Sequence, residues 1–358
     1  MKSACVFLVV ASTIAVRGVA DTTWTNENIG EYNLTRPGKY SIEGTVTGNI
    51  NVELDTPGDV VIEGAQGTSP TLQGIPRPGE RRHVSHIKGS VSTTSSLTIR
   101  NLTIRGDGHN AIECAGEGRR LFENLHIVNY ERVENGKTYE QVGSVNAGQN
   151  SVIRSCLIET GDDALKLTEP NSRAYNCRVR AQKNGSAIQF GWGNRCDGPN
   201  HVADNIQIHG RIAPNAAGHT NDDDNSGRCV IGGIIQNDTS NIRLTGLDID
   251  VDSYKHLIKL IVDGATLEGV IIQGTVAKGG VFNCPENPSL KAIALVARNG
   301  GKIRNCVIDL GEAAAREEYH YIKGDVDVTF VSASRNGQQP AGENQTSRTA
   351  RDRKVTEK

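Results

Sequence analysis

The sequence predicts an all-β protein: a right-handed parallel β-helix, or β-solenoid, with short caps. Two observations predict this fold. A short unit, in which a small or polar residue precedes an apolar–x–apolar triplet, recurs along the chain, and a second alternating segment follows each unit. The first residues of these units, here called the anchors, are Asn101, Asn124, Ser155, Asn176, Asn205, Gly246, Gly269 and Asn305.

The recurring unit itself indicates strands joined by tight bends. Apolar residues alternate with a period of two in each unit, which is typical of a strand and not of a helix. Most anchors are Asn or Gly, which tolerate the left-handed backbone conformation that a tight bend needs. A strand–bend–strand unit repeated along a chain is one coil of a solenoid. Stacked coils lie about 4.8 Å apart, so we expect the Asn anchors to form a hydrogen-bonded column.

The second alternating segment predicts an outward-facing stripe. It reads "AIEC" at Ala111–Cys114, "ALKL" at Ala164–Leu167 and "AIQF" at Ala187–Phe190, among others. The second and fourth residues are apolar or small and should face the core, whereas the third should face solvent. The predicted solvent-facing stripe consists of Glu113, Asn146, Lys166, Gln189 and Lys259. The alanines Ala111, Ala164 and Ala187, which begin these segments, should then stack in one column.

Composition narrows the classes of function. The 358 residues carry a formal net charge of −2, which argues against a nucleic-acid-binding protein. Forty glycines stand beside only five Phe and two Trp, a composition that favours thin stacked layers over a conventional globular core.

The ends of the chain predict export. Residues 1–20 have a lysine, an apolar run and small residues, which is typical of a secretory signal peptide. We expect a cap and first coils in residues 21–95, the β-helix proper in 96–334 and a disordered polar tail in 335–358. The protein is expected to be secreted and monomeric, with no membrane partner. Sequons for N-glycosylation lie at Asn33, Asn101, Asn184, Asn237 and Asn344.

The stretch "GDDALKL" is the strongest candidate for chemistry. Asp162 and Asp163 stand in the turn just before a stripe strand, in the middle of the predicted open face. Cleavage of a sugar chain needs one acid to protonate the leaving oxygen and another to activate water. An adjacent pair of aspartates in a turn is also common as a solvated feature, so the spacing alone leaves both interpretations open.

The two neighbouring strands carry a resemblance to a known family. The run "NSVIRSCLIETGDDALKL" contains the pair and Lys166, and one coil later "AIQFGWGNR" supplies Gln189, Trp192 and Arg195. These strands resemble the polygalacturonase group and, more closely, the dextranase and isopullulanase family, glycoside hydrolase family forty-nine. The resemblance covers about residues 95–310 and implies a parallel β-helix that hydrolyses a polysaccharide.

The resemblance also implies roles for residues. Asp162 would be the general acid and Asp163 a general base in an inverting hydrolysis. The chemistry of the neighbouring residues adds further candidates: Lys166 and Arg195 for binding substrate hydroxyls or neutralising the acids, Gln189 for binding substrate, and Trp192 for stacking on a sugar ring or capping the adjacent turn. The stripe residues Glu113 and Asn146 are further candidates for substrate binding.

One acid of that family is absent from this chain. The family has a third Asp on the preceding coil, and its place falls at Gly143, or at Val142 with a shift of one residue. Glu140 stands nearby and would reach the site only if its loop folded back. This departure leaves weakened catalysis, an altered substrate and a binding-only descendant open.

Two further features yield expectations outside the acid pair. The acidic run "NDDDNSGR" at 221–228 suggests a calcium site, although a solvated insertion is the favoured interpretation, so no metal and no other cofactor is expected. Cys196 and Cys229 flank this insertion in the similar contexts "GNRC" and "SGRC", and we predict a disulfide between them.

The sequence therefore predicts a secreted glycoside hydrolase, an inverting and endo-acting enzyme on an α-glucan such as dextran or pullulan. The alternative from another class is a catalytically silent carbohydrate-binding or wall-associated protein. A pectin-directed hydrolase or a polysaccharide lyase is the second enzymatic alternative.

Overall fold

The structure of the protein is a computed structural model. It describes residues 20–75, 85–106, 109–129, 132–134, 137–139, 143–183, 185–193, 198–212, 220–222, 229–252, 254–277, 289–331 and 347–349.

The chain forms a right-handed parallel β-helix, as the sequence predicts. In the described residues, twenty-nine strands belong to one continuous hydrogen-bonded system, and two more form a separate antiparallel hairpin. The strands of the first half are β1 (Ala20–Thr25), β2 (Asn28–Leu34), β3 (Gly38–Glu43), β4 (Thr45–Glu53), β5 (Asp59–Gly64), β6 (Thr71–Gln73), β7 (Ser85–Ser90), β8 (Ser96–Arg100), β9 (Thr103–Gly106), β10 (Asn110–Ala115), β11 (Arg119–Glu123), β12 (His126–Asn129), β13 (Arg132–Glu134), β14 (Lys137–Tyr139), β15 (Val145–Asn146), β16 (Ser151–Arg154) and β17 (Leu157–Thr160). Those of the second half are β18 (Leu165–Lys166), β19 (Arg173–Lys183), β20 (Ile188–Gly193), β21 (Gly198–Pro199), β22 (Val202–Ile212), β23 (Cys229–Ile235), β24 (Thr239–Val251), β25 (His256–Asp263), β26 (Thr266–Val276), β27 (Ile293–Arg298), β28 (Lys302–Asp309), β29 (His320–Lys323), β30 (Asp325–Phe330) and β31 (Ser347–Thr349).

The coils have three faces, one more than the repeat indicates. The face that carries the stripe, here called the site sheet, contains β2, β4, β7, β10, β15, β18, β20, β23, β25, β27 and β29. The anchors lie between the other two faces. From β19 onward those two faces are formed by single long strands bent at the anchor, such as β19 and β22.

The anchors make the bends that the sequence predicts. All eight have positive φ angles, from 51° at Asn124 and Asn305 to 68° at Gly269. Asn124 donates its side-chain amide to Asn101 at 3.0 Å, and Asn205 donates to Asn176 at 2.8 Å. These bonds run from coil to coil, so the amides reinforce the stacking that the strands begin.

A second asparagine ladder lies between the site sheet and the next face. Its members Asn150, Asn171, Asn200 and Asn241 also have positive φ angles. Their side-chain amides are joined at 3.0, 3.0 and 3.4 Å along the axis. In the middle coils, stacked asparagine amides therefore occupy two corners: the corner at the anchors and the corner that follows the site sheet.

The core is a continuous stack of inward-facing aliphatic residues. Ala111, Ala164 and Ala187 are fully buried, and Ser144 takes the same place on the coil between the first two. The predicted column is thus confirmed, and the structure shows that it faces inward. Cys156 and Cys177, each one residue after an anchor, are also buried as thiols on adjacent coils.

A short helical segment interrupts the C-terminal coils. A short α-helix, α1 (Glu312–Ala315), and a 3₁₀ turn at Glu317–Tyr319 lie between β28 and β29, and the coils then resume. Within the tail for which the sequence predicts disorder, β31 pairs with β30 in antiparallel fashion. In the part of the chain that the structure describes, no helix is long and apolar enough to cross a membrane.

The buried His201 makes stability depend on pH. Burial lowers the pKa of this imidazole to about 4, from 6.5 in an unfolded chain, and its ring Nε2 donates to the Gly198 carbonyl at 3.1 Å. Since the unfolded chain takes up the proton first, the stability is intact above pH 6.5 and falls as the pH drops toward 4, by about 3 kcal/mol. We expect His201→Gln to flatten this part of the pH profile in urea-unfolding measurements. An unchanged slope in the variant would show that other groups cause it.

Candidate active site at the Asp162–Asp163 turn

The acid pair lies in a turn whose backbone is held on both sides. The Gly161 N–H donates to the Asn129 carbonyl at 3.2 Å, and the Ala164 N–H donates to the Ser186 carbonyl at 3.0 Å. The Asp163 carbonyl accepts from the Ser144 N–H at 2.9 Å. Neighbouring coils therefore fix the direction in which this turn presents its side chains.

Asp163 is the more enclosed of the two acids. Its side chain is 13% exposed, and its Oδ1 accepts a hydrogen bond from the Ser186 N–H at 2.8 Å. Its Oδ2 lies 3.7 Å from the Lys166 Nζ, and that ammonium also donates to the Asn110 Oδ1 at 3.2 Å. Coil-to-coil contacts thus orient both the carboxylate and its cation.

Asp162 has different surroundings. Its N–H donates to the Thr160 Oγ1 at 3.3 Å, and its half-buried side chain lies directly against Gly185 on the next coil. A Cβ at Gly185 would stand only 2.4 Å from the Asp162 Oδ1 and 2.3 Å from the Asp163 N. The close approach of the two turns therefore requires a glycine, which also has a positive φ of 74°.

Gly143 takes the place that corresponds to Asp163 on the preceding coil. A Cβ built there would lie 2.7 Å from the Asn110 Oδ1 and 2.9 Å from the Lys166 Nζ. The lysine ammonium thus occupies the space that a side chain at this position would need. Val142 and Glu140 lie outside the described residues, so the folded-back position of Glu140 stays a prediction.

The stripe has the predicted register, but its exposure is not uniform. Glu113 aligns with Asn146, Asn146 with Lys166, and Lys166 with Gln189, and Gly232 then separates Gln189 from Lys259. Glu113, Asn146 and Lys166 are partly exposed.

The prediction of solvent exposure is wrong for Gln189 and Lys259. They are only 2% and 1% exposed. The Lys259 Nζ donates to the Thr220 carbonyl at 3.2 Å, because residues 220–222 lie over this part of the site sheet. The Nε2 of Gln189 is buried and has no hydrogen-bond partner among the described residues.

Residues 220–222 are attached to the C-terminal coils by charged and amide groups. Asp222 pairs with Lys323, which holds the pKa of this carboxyl below its usual range, and it accepts from the Tyr321 hydroxyl at 3.4 Å. Asn221 donates to the Ser289 carbonyl and accepts from the Lys291 N–H. This segment therefore covers the site sheet on the C-terminal side of the acid pair.

The contacts of Asp222 also concern the calcium site that the acidic run at residues 221–228 suggests. Asp222 is engaged with a lysine, and within the described ranges no three His, Cys, Asp or Glu side chains are grouped as metal ligands. Residues 223–228, the rest of the acidic run, lie outside those ranges.

Of the substrate-binding candidates Trp192 and Arg195, the structure describes only the tryptophan. Trp192 in β20 is 43% exposed, and a register shift separates it from Gln189. Its ring is thus accessible beside the site sheet, as a sugar-stacking role requires. Arg195 lies outside the described residues.

The predicted Cys196–Cys229 disulfide is not present in the structure. Cys229, the first residue of β23, is a fully buried thiol, and its Sγ lies 3.2 Å from the Ser186 Oγ. The strand register turns this side chain into the coil, and burial raises its pKa to about 12. Cys196 lies outside the described residues.

The sequons divide into exposed and enclosed positions. Asn33 and Asn101 are exposed and Asn237 is half-buried, whereas Asn184 and Asn344 lie outside the described residues. Asn101 also accepts the ladder bond from Asn124. Glycosylation at these positions stays a prediction.

Asn110 and Ser186 are site residues that sequence reasoning did not single out. Both occupy the turn position of Asp163 on other coils, so stacking the turns places them beside it. The coil period is the signal that identifies them.

Comparison with known proteins gives a distant similarity. A scan against protein-family models finds no match. Two dextranases, from Arthrobacter sp. (strain CB-8) and Arthrobacter globiformis, are each 23% identical over 123 residues, which is 34% of this chain. The match spans only about a fifth (19%) of the length of these curated relatives. The resemblance to dextranases is thus borne out in part, and membership of glycoside hydrolase family forty-nine stays a prediction.

Proposed function

We propose that this protein is a secreted glycoside hydrolase that cleaves an α-glucan such as dextran or pullulan, with Asp162 and Asp163 as its catalytic acids. The observation that carries the proposal is the pair itself: two adjacent carboxyl groups with different surroundings at the edge of an accessible sheet. The distant similarity to two dextranases supports the same reaction class.

Each acid has a role that fits its contacts. Asp163 accepts an N–H bond and lies beside an ammonium, so it is suited to remain a proton acceptor and to activate a water molecule. Asp162 protonates the oxygen of the departing sugar. Such a division of roles gives inversion when the two carboxyl groups leave room for water, at about 6.5–9.5 Å.

The surrounding polar groups bind the sugar hydroxyls. Lys166 and Asn146 lie next to each other on the stripe, and the buried Gln189 Nε2 has a donor to offer. Trp192 supplies an exposed ring on the following coil. Buried polar atoms that find no partner are costly, and a bound hydroxyl satisfies them.

The silent carbohydrate-binding protein is the second candidate. Gly143 favours it, because the space of a third acid is taken by the Lys166 ammonium. A carboxylate at that place would stand ready to help activate water, and this chain has none there.

An assay of reducing ends separates the two candidates. The protein is incubated with dextran, pullulan and polygalacturonate, and the anomeric form of the first product is followed by NMR. We expect release from a neutral glucan, with the inverted anomer formed first. Binding of the glucan without any release would establish the silent protein instead.

A further inference from the structure

A groove of ≈770 Å³ follows the edge of the site sheet where its strands end, and it is here called the edge groove. The acid pair lies at the opposite edge, because Asp162 and Asp163 precede β18 and the groove residues Thr168 and Glu169 follow it. The polar and charged side chains that the argument uses are Asn51, Glu53, Lys88, Glu113, Asn146 and Glu169.

The edge groove is long enough for a chain of several sugars. Asn51, Lys88, Glu113 and Asn146 are consecutive partners in the register, and Lys166 follows Asn146. Four steps of about 4.8 Å give a length of about 19 Å along the axis. On the other side of the acid pair, residues 220–222 cover the sheet, so a bound chain extends toward the N-terminal coils.

The lining suits hydroxyl groups. The Asn146 Oδ1 is buried and has no hydrogen-bond partner among the described residues, so it offers an acceptor to a ligand. Ser85 donates to one oxygen of the Glu113 carboxylate at 2.6 Å, which restricts the orientation of that side chain. The lining also includes the small residues Gly89, Ala115 and Gly116, which leave room for a sugar ring close to the backbone.

The charge of the lining selects among polysaccharides. Three acidic residues, Glu53, Glu113 and Glu169, line the groove, against one basic residue, Lys88. Arg120 is not part of the lining: it is 2% exposed and donates to the backbone carbonyls of Ala115 and Gly116. An anionic chain would thus meet net repulsion at the groove surface, whereas a neutral one would not.

We propose that the edge groove is an accessory binding site for a neutral, hydroxyl-rich glucan chain and that it rejects a polyuronate. This inference deepens the proposed function and rests on it for the choice of glucan. The charge of the groove lining limits the substrate class to neutral chains, and this part of the argument does not use the acid pair.

Calorimetric titration of the Asp162→Asn variant tests the inference without turnover. The probes are dextran-derived oligosaccharides and oligogalacturonates of equal length. We expect the neutral oligosaccharides to bind, and the added pair Asn146→Ala and Glu169→Ala to weaken binding by at least about tenfold. Lys88→Ala, a single surface change, serves as a second variant with an expected loss of a few fold. Asp248→Asn, an exposed change on another face, is the matched control and should bind as before.

The outcomes separate this inference from the proposed function. Equal binding by the groove variants, or equally tight binding of oligogalacturonates, would overturn the edge groove as a glucan site. Groove-dependent binding by a wild-type protein that hydrolyses no glucan would support the groove and contradict only the hydrolase. Thermal unfolding of each variant shows whether a loss of binding reflects a loss of fold.

Discussion

Asp162→Asn is expected to lower kcat for glucan hydrolysis by about 10²–10⁴-fold. The amide has nearly the shape of the carboxyl group, but it cannot donate a proton to the leaving oxygen. Because the Asp163 contacts to Ser186 and Lys166 remain, oligosaccharide binding should be nearly intact. The initial rate of reducing-end release on dextran, together with a binding titration, measures both quantities.

The control for this substitution is Asp248→Asn, which makes the same chemical change on an exposed part of another face. It should keep the wild-type rate. If Asp162→Asn also kept that rate, Asp162 would not be the proton donor, and the roles assigned to the pair would have to be abandoned.

Gly185→Ala should remove most of the activity because it displaces the two catalytic acids, although it changes neither of their side chains. The new Cβ would lie 2.3 Å from the Asp163 backbone nitrogen and 2.4 Å from the Asp162 Oδ1, so the turn with both acids has to shift. Displacements of about 1 Å at a catalytic group cost on the order of 10²-fold in rate. We expect a fall in kcat of that size, measured on the same substrate, with the fold retained.

Gly67→Ala is the matched control for the backbone strain. Gly67 has a φ of 78°, close to the 74° of Gly185, but no atom of the described residues lies within 4 Å of its Cβ position. Both variants incur the strain of a left-handed alanine, about 1–2 kcal/mol, and only one disturbs the acids. Equal activities of the two variants would contradict the close packing at the acid pair.

The repeat made the coil register predictable, because alternation fixes which side chains face inward. The column of Ala111, Ala164 and Ala187 and the bends at the anchors follow from it. The third strand of each coil was missed. From β19 onward it continues through the anchor into the next strand without a break, so no separate segment marks it.

Burial at the site was less predictable than register. Gln189 and Lys259 hold the stripe positions that the period gives, yet they are covered. Residues 220–222 belong to an insertion with no periodic pattern, and no local signal places it over the site sheet. The Cys229 prediction failed for a related reason: similar flanking letters carry no information about which way a strand turns its thiol.

The two asparagine ladders have a consequence for how such a chain changes over evolution. Each corner is held by amides that bond to the same amide one coil away, so the stacking does not depend on the length of the segment before the site sheet. That segment is four residues at Gly161–Ala164 and sixteen at residues 213–228, yet β18 and β23 both align with β20. New segments can therefore be gained or lost beside the acid pair while the scaffold keeps its register, and substrate preference can diverge without a new fold.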